Sequence, residues 1–526
     1  MRKIIIGTRG SDLAMWQANY TRSLLENKGY PVEIKIIQTA GDKSQQWNIS
    51  FEKLEGKGFF TKELEEALLR KEIDLAVHSH KDLPTENPEG LIIAGVSRRE
   101  DPSELLLLKK SSVDENKMFS LKQEAVVGTS SARRKSQLLA FRPDVTVKDL
   151  RGNVPTRVNK LKGEEYDAIM LAVAGTERLE LDLSEFHAVV LDPRVFVPAP
   201  AQGVLAWQIR ENDGELFDIF GDITDIDVQA RMRVERTVLN LMDGGCQLPL
   251  GVFTETEPDE NDRPVFKTWV SVAKQWNEQP LQLYFETSNT EDFPERIVKH
   301  VRSVKQQKVF VTKNFRNQDY LPNALKRLGF EVEGKSLIEF KEIKIKELPK
   351  CDWVFFSSKH AVKYFLNQKP TLQNVKFGCV GSSTAHELRT FGYRADFIGQ
   401  ATDTKLIGKQ FSSKVGNAKV LFPIAKDSLQ TIQMQMVKRD NAINLPVYHT
   451  LKHSVEIDNS YSVLVFTSPS NVEAFFEKNK ILPSQKVVAM GDATSNALLK
   501  HKLKDVTKPI TFDDLGLLQA ILSKSA

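Results

Sequence analysis

Several arginines of this 526-residue chain stand where a helix disfavours them. In GTSSARRKSQL (128–138) a glycine turn and three hydroxyl residues open a helix, and Arg133 and Arg134 then fall in its first turn. Cations there oppose the helix dipole, at a cost of up to ~1 kcal/mol each. RGNVPTR (151–157) places Arg151 before, and Arg157 inside, the start of another helix in which Pro155 is tolerated. AGTERL (174–179) adds Arg178 in a similar place. Taken singly, each is a solvated surface charge. Three helix starts with the same violation point instead to a polyanion site, because residues that break a local rule are candidates for function. The planar guanidinium suits carboxylates or phosphates, which it grips bidentately. GTRGSDLA (7–14) runs from strand through turn to helix; Ser11 can cap the helix, and the free N–H groups suit an anion, although an ordinary capped helix accounts for the same residues.

VHSHKDLP (77–84) ends a strand in a charged loop. His78 and His80 lack the further ligands a metal site needs. Asp82 beside Lys81 has two readings, an ion-paired loop or an acid held near a cation for proton transfer and for stabilising a cationic intermediate. GKGFF (56–60) puts Lys57 between glycines, as a mobile lid or a plain loop. Cys246 lies in DGGCQLPLG, where two glycines permit close approach by a ligand. Taken as a lone cysteine, it reads first as an inert buried thiol.

The elements that must position these residues follow from the wider pattern. Length suggests about three to four domains. With 41% hydrophobic and 27% charged residues the chain is neither disordered nor a disulfide scaffold. A net charge of +4 is too small for a general nucleic-acid coat, so cations must act by placement. The three cysteines, Cys246, Cys351 and Cys379, form no CxxC pair and fit a reducing compartment. The N-terminus lacks a signal peptide's apolar core, and no segment approaches ~18 apolar residues; a soluble cytoplasmic protein without membrane or nucleic-acid partners is expected. Short β-rich runs (3–6, 32–38, 75–78) alternate with helical patterns (13–27, 60–70), a rhythm of mainly parallel sheets. Residues 192–206 carry three prolines in nine residues, a crossing between domains. Near residue 305 the pattern restarts. Thereafter DWVFFSSKHAVKYF resembles SVLVFTSPSNVEAFF, and GCVGSSTAHEL resembles VAMGDATSNAL, both 110 residues apart, so two similar α/β halves are expected.

GTRGSDLA, HSHKDLP, GTSSARRKSQL, LRGNVPTR, LAVAGTERL, PAPAQGVLA and GGCQLPLG stand in the order seen in porphobilinogen deaminase (hydroxymethylbilane synthase). The resemblance covers residues 1–255 closely and 256–300 weakly. It implies an α/β fold of three domains: two periplasmic-binding-protein-like lobes, at 1–100 with 196–218 and at 101–195, and a small α+β domain at 219–303. It implies a dipyrromethane cofactor covalently attached to Cys246, to which four porphobilinogens are added with loss of ammonia. Asp82 is then the catalytic acid. Arg9, Ser11, Lys81, Thr129, Ser131, Arg133, Arg134, Arg151, Arg157 and Arg178 match positions that bind cofactor and substrate carboxylates, and Lys57 matches the loop over the cleft. The chemistry agrees: each pyrrole carries an acetate and a propionate, so a growing chain needs arginines and no metal.

Residues 306–526 resemble uroporphyrinogen-III synthase in DWVFFSSKHAV, LPVYHT, VLVFTSPSNVEAFF, VAMGDATSNALL and TFDDLGLLQAI. This implies two α/β domains joined by two strands, at 306–342 with 449–526 and at 343–448. It implies closure of hydroxymethylbilane with inversion of its last ring. Tyr448 matches the tyrosine that helps the hydroxyl leave; Ser468, Ser470, Asn471 and Thr494 lie in turns that match substrate contacts, with helix capping as their other reading. Lys502 stands where this family often has glycine. A bifunctional tetrapyrrole enzyme is the leading reading. Its alternatives are a deaminase with a degenerate second half and a two-lobed anion-binding protein. The sequence leaves the oligomeric state open.

Overall fold

The computed structural model describes residues 2–39, 61–243, 248–399, 404–428 and 430–523. Contacts divide the chain into two compact units: Met1–Val309 with Arg316–Val332 and Thr507–Ala526, and Phe310–Phe315 with Glu333–Val506.

The first unit holds three sheets. In the first lobe the order is Val32–Ile36, Ile4–Thr8, Leu75–Ser79, Leu205–Arg210, Leu91–Val96. The first three are parallel, and Leu205–Arg210 inserts antiparallel between Leu75–Ser79 and Leu91–Val96. The chain therefore leaves this lobe after Val96 and returns about a hundred residues later. The second lobe has the order Thr146–Lys148, Val126–Gly128, Ala168–Ala172, Glu104–Leu108, His187–Leu191, with Glu104–Leu108 antiparallel to both neighbours. Its run of leucines is buried throughout, as a strand covered on both faces requires. The small domain is a three-stranded antiparallel sheet, Leu250–Pro258, Pro264–Val272 and Leu281–Thr287, packed with the helices Ile226–Leu241 and Phe293–Ser303.

The proline-rich crossing is held from the small domain. The fully buried Glu235 forms an ion pair with Arg99 at 2.6 Å and accepts the N–H groups of Ala201 and Thr254, each at 2.7 Å. One carboxylate thus satisfies donors from the crossing and from the edge of the small sheet.

The second unit carries the repeat. Trp353–Phe356, Lys359–Leu366, Lys376–Cys379 and Ser382–Thr390 recur 110 residues later as Val463–Phe466, Pro469–Phe476, Lys486–Ala489 and Asp492–Lys500. The first copy lies in a six-stranded sheet and the second contributes to a four-stranded one. Ile338–Glu342 pairs antiparallel with the end of Ala442–Lys452, so the expected borders at 342/343 and 448/449 fall within a paired ribbon. The units also divide the chain differently from those borders. Residues 316–332 and 507–526 group with the first unit, because the helix Asp514–Leu522, apolar but for Asp514 and Gln519, buries every residue from Leu515 to Leu522.

Lys502 follows the helix Asp492–Lys500 with φ 66°, the left-handed conformation that glycine adopts most cheaply. The turn is kept without the glycine.

Candidate active site

A cleft of about 310 Å³ lies between the two lobes, at the lower end of the usual range for small-molecule sites. The first lobe contributes Arg9, Ser11, Lys81 and Asp82, and the second Arg134, Arg157 and Arg178. Asp12 and Asp82 are the carboxylates among its lining residues, against five cations.

Strand ends and helix starts aim these groups. Ser11 caps the helix Asp12–Asn27, accepting the Ala14 N–H at 3.4 Å. Lys81 and Asp82 sit in a single helical turn, His80–Asp82, directly after the strand Leu75–Ser79. That turn is held by Arg236, whose guanidinium donates to the carbonyls of Leu83 (2.9 Å), Pro84 and His80 (3.4 Å). Gly152 has φ 117°, and a Cβ there would lie 2.7 Å from the Thr156 side chain, so only glycine fits. Its carbonyl accepts from Arg157 Nε at 2.7 Å.

The arginine pair has an internal partner. Glu104 is fully buried; it accepts from Arg133 Nη2 at 2.6 Å, Arg134 Nε at 2.8 Å and Gln202 Nε2 at 3.1 Å. Burial pushes its carboxyl up, but Arg134, Arg133 and Lys81 outweigh this and hold it at about 2. Arg134 also donates to the Met170 carbonyl and still reaches the cleft, whereas Arg133 turns to the Val197 carbonyl and does not line it. Gln202 joins the lobes: its amide oxygen accepts from Lys81 Nζ at 3.1 Å while its amide nitrogen meets Glu104 and the Pro102 carbonyl.

Two cations are desolvated enough to want an anion. Burial lowers Lys81 to about 8, with Asp82 opposing and Arg134 assisting. Burial and Arg134 lower Arg157 to about 10, again against Asp82. Arg178 is buried and paired with Glu100 at 2.6 Å. Its position corrects the sequence reading: the helix is Val173–Arg178, so Arg178 closes it, where a cation favours the dipole. Thr129 and Ser131 serve the helix start, Thr129 Oγ1 accepting from Ser131 N–H and Ser131 Oγ from Arg134 N–H. Neither they nor Arg151 line the cleft. Cys246 and Lys57 lie outside the described residues. His78 and His80 are buried, and burial lowers them to about 4 and about 3, so both are neutral. Among the described residues no cluster of three or more His, Cys, Asp or Glu could hold a metal.

In the second unit Tyr448 is buried against Phe340 and Tyr364, with its hydroxyl 3.3 Å from Ser358 Oγ. Burial raises its phenol. Ser358 and Ser468 are equivalent caps of the two repeat copies, with nearly identical backbone angles. Asn471 is buried and bonds the Leu337 N–H and Ser468 Oγ. Thr494 is buried and donates to the Met490 carbonyl. Both therefore have structural work, while Ser470 is half-buried on the helix Pro469–Phe476.

Sequence reasoning missed Glu104, Gln202, Glu235 and Arg236. Only Gln202 stood in a motif that had drawn notice, PAPAQGVLA. The others sit in ordinary strand or helix patterns, and their partners are remote in sequence.

Residues 4–218 match the family model "Porphobilinogen deaminase, dipyromethane cofactor binding domain", 229–285 the C-terminal domain of that enzyme, and 319–519 "Uroporphyrinogen-III synthase HemD". A porphobilinogen deaminase of Oceanobacillus iheyensis is 46% identical over 262 residues, covering 49% of this chain and 82% of the relative. One from Bacillus velezensis is 41% identical over 313 residues, covering 59% and 94%. Among solved structures, uroporphyrinogen-III synthetase from Helicobacter pylori 26695 aligns at 16% identity and a TM-score of 0.32, covering 41% of this chain and 99% of that one. Among the described residues no helix is long and apolar enough to cross a membrane. This chain belongs to the porphobilinogen deaminase family, and behind the deaminase it carries a segment of the uroporphyrinogen-III synthase family.

Proposed function

We propose that the chain performs two consecutive steps of tetrapyrrole biosynthesis: it joins four porphobilinogens to hydroxymethylbilane with release of ammonia, then closes that product with inversion of its last ring to uroporphyrinogen III. The observation that carries the first step is the interlobe cleft, where five cations face an exposed Asp82. A dipyrromethane fits this donor set, since its carboxylates meet guanidinium and ammonium groups. When bound through Cys246, it supplies the pyrrole to which substrate is joined. Arg9, Arg157 and Lys81 hold carboxylates; Arg134 and Arg178 do so while anchored to Glu104 and Glu100. Asp82 offers a proton to the departing amine and, as carboxylate, stabilises positive charge on the pyrrole. Arg236 keeps Asp82 in place by holding its loop. Thr129, Ser131, Arg133 and Arg151 shape the helix starts that present the cationic wall.

In the second half Tyr448, kept neutral by burial, donates to the departing hydroxyl, with Ser358 alongside. Ser468, Ser470, Asn471 and Thr494, at the starts of the helices Pro469–Phe476 and Asp492–Lys500, receive carboxylates. The reaction belongs in a reducing cytoplasm, which keeps Cys246 available.

The test is to give porphobilinogen to the full chain, follow ammonia, and chromatograph the oxidised products. Type III macrocycle is the expected product. Type I alone sinks the second step, and no consumption of porphobilinogen sinks the first. Tyr448→Phe should move the mixture part-way to type I.

A further inference from the structure

Two helices from the synthase-matching segment complete the body of the deaminase. Tyr320 of the helix Tyr320–Arg327 stacks on Phe141 of the second lobe, centroids 5.0 Å apart. Leu515 belongs to the same core as Phe141, Leu121 and Phe196. The two helices are tied to each other, the Leu321 N–H donating to the Asp514 carboxylate at 3.2 Å. The far end of Asp514–Leu522 reaches the small domain: the Leu522 carbonyl meets His300 Nε2 at 2.8 Å. Ser523 Oγ donates to the Tyr284 carbonyl at 3.0 Å and accepts the Tyr284 N–H at 3.3 Å, closing on the edge strand Leu281–Thr287. That strand pairs on one side only, with Pro264–Val272, so its outer edge would otherwise present unpaired backbone groups.

We propose that this helix pair is a brace that joins the second lobe to the small domain, so that the spacing between the cationic wall and the small domain depends on residues 320–327 and 514–523. The position of the contacts argues for this. Phe141 ends the helix Ala132–Phe141, whose first turn carries Arg134, so the brace grips a helix that contributes to the wall of the cleft. His300 lies on Phe293–Ser303, which packs against Ile226–Leu241, the helix leading into the 244–247 segment. Adjustment of the cleft is then left to the crossings between the lobes, near residues 97–103 and 192–204. The consequence for turnover rests on the deaminase reading; the brace itself does not.

Hydrogen exchange on the full chain separates the two. Tyr320→Ala and Leu515→Ala should each raise exchange roughly tenfold or more in both 134–141 and 281–287, with 353–356 as an unaffected reference, since a lost buried contact loosens its cooperative neighbourhood. Should either variant fail to fold, Ser523→Ala removes one hydroxyl and should loosen 281–287 several-fold. Exchange that rises only within 320–327 and 514–522, or a Ser523→Ala protein identical to the parent, overturns the brace. A parent chain that consumes no porphobilinogen overturns the assigned reaction and leaves the exchange result to stand on its own.

Discussion

The interlobe cleft and the Tyr448 region handle polarity in opposite ways. The cleft gathers guanidinium and ammonium groups, and buried ones among them need internal counter-ions, Glu104 for Arg134 and Glu100 for Arg178. Around Tyr448 the polar groups are hydroxyls set among aromatic rings, and Ser358 and Ser468 also cap helices. A buried charge left alone is costly, so a charged site drags a second layer of structure with it. A hydroxyl is satisfied by one backbone N–H, so a neutral site resembles any capped turn. The charged site is therefore easier to find in the sequence and easier to destroy.

The sharpest break falls on turnover. Asp82→Asn keeps a hydrogen-bonding amide but neither proton nor charge, and ammonia release should fall by about 10²–10⁴-fold. A near-parental rate would reduce Asp82 to a loop residue. Next comes the counter-ion. Glu104→Gln leaves two buried guanidiniums without their carboxylate and should destabilise the first unit by about 3–5 kcal/mol, read by denaturant unfolding of that unit. Ser468→Ala, the parallel loss of a partner in the second half, should cost only ~0.5–2 kcal/mol. Equal losses would erase the contrast between the two regions.

The contrast also has a pH form. Lys81, lowered to about 8, is charged below that pH and neutral above it. The kcat/KM for porphobilinogen should therefore fall as pH rises through about 8, and Lys81→Arg, which stays charged, should remove that limb. A limb unmoved by the substitution assigns it to another group. The smallest effect is expected at Lys502, whose left-handed conformation suits glycine. Lys502→Gly should stabilise the second unit by ~0.5–1 kcal/mol without altering products, measured as a higher unfolding midpoint.

Much of this was legible in the chain because it depends on neighbours in sequence. Ser11 and Ser131 cap the helices their spacing announces, and the 110-residue offset reappears element for element. These features arise from backbone sterics and hydrogen bonds within a few residues. Arg178 shows the limit of that reading: its place in AGTERL suggested a helix start, yet the turn begins at Val173, directly after the strand Ala168–Ala172, and the arginine ends it. What only the tertiary structure decided is which side chains meet. Glu104 lies some 30 residues from the arginines it neutralises, Arg236 some 150 from the loop it holds, and Leu515 more than 300 from the core it enters. No periodicity records such pairs, because a strand or helix only turns a side chain to one face; the packing of separate sheets and helices decides which charge, carbonyl or ring that face will meet.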